Sequence, residues 1–465
     1  MEKGIRPPIV TVLGHVDHGK TTLLDAIRKS NVASKEAGGI TQAIGASTVT
    51  TKEGKTITFI DTPGHAAFSK MRSRGAKVAD LALLVVAADD GVKPQTIEAL
   101  QLIKAANIPF IVVASKVDLP SASVETLYGQ LEKEQVLFEG RGGATPLVQV
   151  SAKNGTGIEE ILEMISLVAD LEEIKADPKA ILEAVVIETT KNTRGLLASA
   201  VVRNGTLKVG QEVYCEGLRA KMRGLFDDKG QNVKEIICGF PAQILGFEKL
   251  PSVGAVISSS EASMALQVEG KKKLQIKIEE GQLPVIVKAK NAGSLEAVLA
   301  GLPKDVVVLD SGVGDVFESD VLLAKSSGAK YILAFESKAP TSVIKLAEAE
   351  GVKIEAFQII YELFQKVEEI LKGGQIEILG KAEIVASFPF NNKKVAGCKV
   401  TLGRINKTDT LIVQRGDKEL GRVKIVSLKK QKQDIAEAKI GEEFGVIFAP
   451  QLDFAEGDVI VSVRK

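Results

Sequence analysis

Along residues 1–170, short apolar runs rich in β-branched side chains alternate with stretches whose apolar positions recur at helical spacing. The runs are Ile9–Leu13, Thr56–Ile60, Leu81–Ala88, Pro109–Ala114 and Pro146–Val150; Thr96–Ala106 and Ile158–Val168 carry the helical period. That alternation predicts a mostly parallel sheet with helices on both faces. From Ala180 to about Ser258 the pattern changes to strands broken at Arg203-Asn204-Gly205, Lys208-Val209-Gly210 and Asp228-Lys229-Gly230, which predicts a small β-barrel or sandwich. Residues 283–358 return to α/β alternation. Strands are predicted at Leu283–Ala289, Val306–Leu309 and Tyr331–Phe335, with helices at Ser294–Leu302 and around Val343–Glu350. Residues 359–372 repeat apolar positions at helical spacing and stop at Gly373-Gly374, as a linker helix would. From Ile376 onward, short strands and glycine turns predict a second barrel.

Length and composition agree with several cores. The chain has 465 residues, 45% of them apolar, enough for three or four domains of roughly 100–200 residues each. A net charge of +1 excludes a global field of the kind that coats nucleic acid. Residues 376–465 hold 16 basic against 12 acidic side chains, whereas residues 1–172 hold 18 against 20, so any RNA contact is expected at the C-terminal end. Three scattered cysteines, Cys215, Cys238 and Cys398, form no C-x-x-C pair and read as a reduced intracellular set. The longest apolar run, Leu81–Ala88, is too short to span a bilayer, and no signal-like stretch opens the chain. A cytoplasmic protein without membrane partners is expected.

The chemistry is concentrated in loops after the predicted strands. Gly14-His15-Val16-Asp17-His18-Gly19-Lys20-Thr21 fits G-x-x-x-x-G-K-[ST], follows the run Ile9–Leu13 and opens the helical stretch Thr22–Lys29. In that context backbone N–H groups and a helix N-terminus surround phosphates, Lys20 reaches the β- and γ-phosphates, and the Thr21 hydroxyl ligates Mg²⁺. Asp61-Thr62-Pro63-Gly64-His65 follows the next strand: Asp61 can hold Mg²⁺ through a water, and the Gly64 N–H can sense a γ-phosphate. After the fourth strand comes Ser115-Lys116-Val117-Asp118. Asp118 can accept from guanine N1–H and N2–H₂, a donor pair adenine lacks, and the Lys116 stem can cover the base. Ser151-Ala152-Lys153, after the fifth strand, can offer a backbone N–H to guanine O6. These ordered loops on successive strand ends predict GTP and GDP as ligands.

Together these residues resemble the translational GTPase family, whose phosphate loop reads G-H-V-D-H-G-K-T. The resemblance implies that Thr41, in Gly38-Gly39-Ile40-Thr41, completes Mg²⁺ coordination only when GTP is bound. It implies a monovalent cation near Asp17, and His65 orienting the attacking water behind an apolar gate of Val16 and Ile40. The three histidines, His15, His18 and His65, all lie in these two loops. Serine stands at position 115 where the family usually has asparagine.

One barrel, an α/β unit, a helix and another barrel follow the nucleotide loops, and this order is similar to the bacterial initiation factor two family. Gly39 to Ala46, Ser311-Gly312-Val313-Gly314 with Glu318 to Val321, Ala396-Gly397-Cys398 and Ser427-Leu428-Lys429-Lys430 carry that resemblance. It implies a multidomain α/β plus β-barrel fold: a P-loop GTPase domain (1–172), a β-barrel (173–260), a linker (261–282) with Lys271-Lys272-Lys273, an α/β/α domain (283–358), a linker helix (359–375) and a C-terminal β-barrel (376–465). It further implies a monomer that works with both ribosomal subunits and formylmethionyl initiator tRNA; the alternative is an elongation-type GTPase with another cargo. The family's long N-terminal extension is expected to be missing, because the GTPase domain begins almost at Met1. In the last barrel the resemblance points to Cys398 and Phe444 lining an apolar pocket. Backbone near Glu443 and Gly445 would then meet the formyl amide, while Lys429, Lys430 and Lys432 hold acceptor-end phosphates. Gln431 replaces an aromatic there, and Phe444 stands where a cysteine is usual.

Overall fold

Strand β1 (Ile9–Gly14) is buried along its whole length, and so is β4 (Leu81–Ala87), which is why both read as unbroken apolar runs. A computed structural model of the chain describes residues 4–30, 41–42, 44–261, 279, 281–374, 377–390, 393–416, 418–431, 433–450 and 452–464. Around β1 and β4 lie α1 (Lys20–Arg28), β2 (Gly45–Thr50), β3 (Thr56–Asp61), α2 (Ser69–Val78) and α3 (Pro94–Ala106). The fold continues through β5 (Phe110–Ser115), α4 (Val124–Lys133), β6 (Leu147–Gln149) and α5 (Ile158–Leu171). The sheet order is β2-β3-β1-β4-β5-β6, parallel except for the antiparallel pair β2–β3. Val10 and Val12 pack with Leu23, Leu24, Ile161 and Ile165 in one cluster, and Leu84 and Val86 with Leu100 and Leu127 in another. Because β1 sits between β3 and β4, the carboxyl ends of these strands open a crevice at the sheet's switch point.

Three elements of this domain go beyond the sequence reading. The edge strand β2, Gly-Ala-Ser-Thr-Val-Thr, is only half-buried and has no apolar run. Helix α2 buries Met71, Arg72, Gly75, Ala76 and Val78, a set in which a charge and a glycine interrupt the period. Helix α4 buries only Leu127 and Leu131.

Two compact units divide the chain, Met1–Gln365 and Lys366–Lys465. In the first, antiparallel strands from Glu183–Asn192 to Val256–Ser258 enclose a core that includes Val186, Ala200, Val213, Met222 and Ile244. The predicted turn at 228–230 falls between strands, while those at 203–205 and 208–210 begin within the last residues of a strand. A four-stranded parallel sheet follows, in the order Val306–Val313, Leu283–Ala289, Tyr331–Phe335, Lys353–Phe357. Its connections carry the helices Ala292–Gly301, Glu318–Ser327 and Thr341–Ala349; the second of these and the last strand were not expected. A helix spans Ile360–Gly374. The expected linker 261–282, with Lys271–Lys273, lies almost wholly outside the described residues.

The second unit is a closed antiparallel barrel. Its ring runs Glu377–Phe390, Val459–Arg464, Thr410–Arg415, Lys418–Lys430, Glu443–Ala449, Lys393–Asn406, and the last strand pairs back on the first. Closure leaves no unpaired edge among the six strands.

Candidate active site

The loop after β1 is shaped to receive an anion. Gly14 is fixed by a close approach: a Cβ there would strike the Val85 carbonyl oxygen of β4. Asp17 and Gly19 take left-handed φ values of 62° and 85°, which turn successive N–H groups into the loop's concavity. Helix α1 begins at Lys20 with no side-chain cap, so its first amides remain available to a ligand. Burial of the loop's histidines lowers the pKa of both. His18, beside Asp90 at 3.3 Å, is held at about 4, and His15, with Gln95 as hydrogen-bond partner, also lies below its ordinary value. Gln95 also accepts from the Val16 N–H at 3.1 Å.

Lys20 is 6% exposed and donates to the His15 carbonyl at 2.5 Å. Burial pulls its pKa down to about 8, against the opposing pull of Asp61. Bound polyphosphate would hold that proton well above pH 8. Below pH 8 the nucleotide-free protein already carries the charge, and affinity is fully developed. Above it, binding must take up a proton, and affinity falls by up to about tenfold per pH unit. Calorimetry of GDP binding at pH 9, in two buffers of different ionisation enthalpy, is expected to show uptake approaching one proton; zero uptake contradicts this account.

Three further groups lie beside the phosphate loop. The Thr21 and Thr41 hydroxyls lie 2.5 Å apart. Asp61, at the end of β3, is 6% exposed, and its Oδ1 has no hydrogen-bond partner among the described residues. Burial raises its carboxyl to about 6, although Arg28 and Lys20 pull the other way. Gly64 admits no side chain, because a Cβ would run into the Lys20 ammonium and lie 3.0 Å from the Val16 nitrogen. One cleft is thus lined by Val16, Asp17, Gly19, Lys20, Thr21 and Thr22 of the phosphate loop, with Thr41, Gly64, His65 and Lys116. Ile40 lies outside the described residues, so the gate it was expected to form with Val16 is not described.

His65 is placed by its neighbours. Its Nδ1 accepts from the Ala67 N–H at 2.8 Å, so the neutral ring carries its proton on Nε2. Nε2 is buried without a partner among the described residues, and burial, helped by Arg72, lowers the ring's pKa. Arg72, fully buried on α2, donates to the Pro63 and His65 carbonyls at 3.0 and 2.5 Å and makes a two-bond pair with Glu98 at 2.8 Å. Arg72, Glu98, Gln95 and Asp90 all escaped the sequence reading, since a single polar side chain on a helix or turn reads as solvated surface.

At the base end, the Ser115 hydroxyl donates to the His18 carbonyl at 2.7 Å. It ties β5 to the phosphate loop, and its one proton is spent there rather than on a base. Ser151 donates to Asp118 Oδ1 at 2.7 Å and holds that carboxyl below its ordinary pKa, while Lys116 sits at a left-handed φ of 56°. Ala152 and Lys153 line an adjoining depression beside Asn154 and Ala26.

Comparison with known proteins fits this cleft. The family described as "Elongation factor Tu GTP binding domain" matches residues 6–170, "Elongation factor G domain 2" residues 182–260, and "Translation-initiation factor 2" residues 259–368. "Translation initiation factor IF-2" of Caldanaerobacter subterraneus subsp. tengcongensis is 42% identical over 98% of this chain and 69% of its own length. The same factor of Thermus thermophilus is 41% identical over 98% of this chain and 86% of its own. The chain belongs to the translation initiation factor IF-2 family. Other IF-2 relatives are longer, and the chain spans 59% of the one from Nitratiruptor sp.. Among solved structures, the crystal structure of GDP-bound aIF5B from Aeropyrum pernix is 29% identical, covering 98% of this chain and 92% of its own, with a TM-score of 0.48. As an IF-2 family member the chain is a translational GTPase that binds guanine nucleotides. Among the described residues no helix is long and apolar enough to cross a membrane.

The residues that resemble the IF-2 cargo site are placed differently from expectation. Cys398 is 1% and Phe444 4% exposed, and they face each other across paired strands in the barrel core. They fill the interior, a correction that follows from strand alternation: their neighbours Gly397 and Gly445 are the ones on the outer face. Lys430 is paired with Glu442 at 2.8 Å, Lys429 lies 4.0 Å from Asp434, and Glu443 is exposed. Lys432 lies outside the described residues.

Proposed function

We propose that this GTPase carries formylmethionyl initiator tRNA to the small ribosomal subunit, promotes subunit joining, and hydrolyses GTP when the ribosome stimulates it. The observation that carries the reading is the cleft itself, where Lys20, Thr21, Thr41, Gly64 and His65 converge from three separate loops. Hydrolysis of this kind is mostly positioning and charge stabilisation. Lys20 and the loop amides would hold the phosphates, the Gly64 N–H would face the γ-phosphate, and His65, once its Nε2–H is turned into the cleft, would be the donor that orients the water.

The site suits Mg²⁺. Two hydroxyls already in contact and an unpartnered carboxylate oxygen on Asp61 form a hard-oxygen set, short of a full cage, that a cation shared with phosphate would complete. Thr21 and Thr41 would hold the ion directly and Asp61 through water, and the ion would neutralise charge on the phosphates.

For the cargo, the outer face of the closed barrel offers a better seat than its core. Ala386, Gly397, Gly445 and Lys429 are successive cross-strand neighbours, and exposed Phe388 flanks the row. Two glycines leave a shallow floor for a methionyl side chain and a neutral formamide. Lys429 and Lys430 stand where acceptor-end phosphates would pass. A free α-amino group would enter charged and lose hydration, so the unformylated ester is disfavoured.

A Cβ fits on Gly445, since it would lie 3.5 Å from Val395 and clash with nothing. Gly445→Ala is therefore expected to leave the melting temperature unchanged. Protection of formylmethionyl-tRNA against deacylation should weaken about tenfold, the equivalent of roughly 1.4 kcal/mol. Lys430→Glu and added salt should weaken it further. Equal protection of formylated and unformylated tRNA by the full chain would place recognition elsewhere.

A further inference from the structure

The helix Ile360–Gly374 begins against the loops that carry Thr41 and His65. Gln42, next to Thr41 and 4% exposed, donates to the Gln358 carbonyl at 2.8 Å and accepts from the Ile360 N–H at 3.2 Å. A side chain more than 300 residues away thus satisfies one of the amides that a helix cannot satisfy within its own first turn. One residue on, the Tyr361 ring meets the His65 imidazole edge-on, with centroids 4.1 Å apart and planes at 60°. Phe68 touches the same imidazole from its own loop at 5.9 Å. Tyr361 is itself half-exposed. One helical turn therefore contacts the Thr41 and His65 loops of the nucleotide site.

That contact has a cost for His65. With Nδ1 committed to the Ala67 N–H and the ring held between Phe68 and Tyr361, the Nε2–H is buried facing no polar partner among the described residues. In this arrangement it cannot donate to a water. Thr41 is meanwhile seated beside Thr21, the arrangement expected when GTP is loaded.

We propose that the first turn of the helix Ile360–Gly374 is a catch on the GTP-loaded site: Tyr361 is a positioning residue that keeps His65 off the hydrolytic water until that turn is released. Gln42 is the second point of attachment, so the catch engages only when the Thr41 segment is seated. The proposal rests on the role given to His65 above.

The test is single-turnover GTP hydrolysis by the full chain without ribosomes. Tyr361→Ala is expected to raise the basal rate about tenfold or more, because a ring free to reorient can meet the water. Tyr361→Phe, which keeps the aromatic edge, stays near the wild-type rate, and Tyr361→Ala combined with His65→Ala loses the gain. Gln42→Ala attacks the catch from its other side and is expected to raise the basal rate by a smaller factor, and it decides the matter should Tyr361→Ala fail to fold. The chain has no tryptophan, so Tyr361→Trp supplies its single tryptophan, whose emission is expected to shift to the red on ribosome binding. A basal rate that is unchanged or lower in a folded variant, or a gain that survives without His65, overturns the catch. Ribosome-stimulated turnover of His65→Ala separates the two readings. If it is retained, the role of His65 fails; if it is lost while the Tyr361→Ala basal rate is unchanged, only the catch fails.

Discussion

His65→Ala is expected to bind GTP and GDP as the parent does while losing ribosome-stimulated hydrolysis on the order of 10²–10³-fold, the usual cost of removing one positioned donor or misplacing one reactant. Binding survives because the groups that hold phosphate lie elsewhere. Lys20, the loop amides and the Thr21–Thr41 pair owe nothing to the imidazole. The backbone carbonyl at position 65 keeps its bond from Arg72, which is tied in turn to Glu98, so the loop's path also survives the truncation. What disappears is the Nε2–H. Nδ1 is occupied by the Ala67 amide, and burial lowers the ring's pKa and favours its neutral form, so it acts by donating rather than by taking a proton. Any acid limb that this ring gives the stimulated rate should accordingly lie below the ordinary histidine value of about 6.5. Parental turnover in the variant, or an acid limb at that pH, would contradict this role.

The nucleotide loops were legible because each is a short, contiguous string whose chemistry depends on local backbone. Gly14-to-Thr21, Asp61-to-His65 and Ser115-to-Asp118 each follow a buried strand, and the sheet order brings their ends to one crevice. The contacts that tune the site were not legible. Arg72 reaches two loop carbonyls from a polar helix, and Gln42 clamps a backbone some 316 residues away; neither leaves a periodic trace. In the last barrel the difficulty was one of register. Cys398 and Phe444 are apolar residues in short strands, and composition fits a ligand pocket as well as a core. Only the alternation of burial along both strands shows that the pair points inward and the glycines beside it outward. The same distinction accounts for Ser115. A serine in the place of asparagine shows in the sequence only as a departure from the family, whereas in the fold its hydroxyl bonds the His18 carbonyl.

Guanine selectivity should rest first on Asp118, and Asp118→Asn is expected to weaken GTP binding on the order of 10²–10³-fold and to raise affinity for xanthosine triphosphate. The carboxylate is exposed in the absence of a base, and the Ser151 hydroxyl, itself buried and also accepting from the Asn154 amide, orients it by donating to Oδ1. A guanine laid on the Lys116 stem would offer N1–H and N2–H₂ to the two oxygens. Adenine presents no such pair, so with ATP the carboxylate would be covered and left unsatisfied. The amide of an asparagine reverses one of the two partners: its NH₂ opposes the guanine N2–H₂ but can donate to the xanthine C2 carbonyl, while its oxygen still accepts from N1–H. Because Ser115 is committed to the phosphate loop, it cannot make up the lost contact. Competition of GTP, ATP and XTP against a fluorescent GDP analogue checks the exchange in one titration. Comparable GTP and ATP affinities in the parent chain, or an unaltered GTP preference in the variant, would mean that another group reads the base.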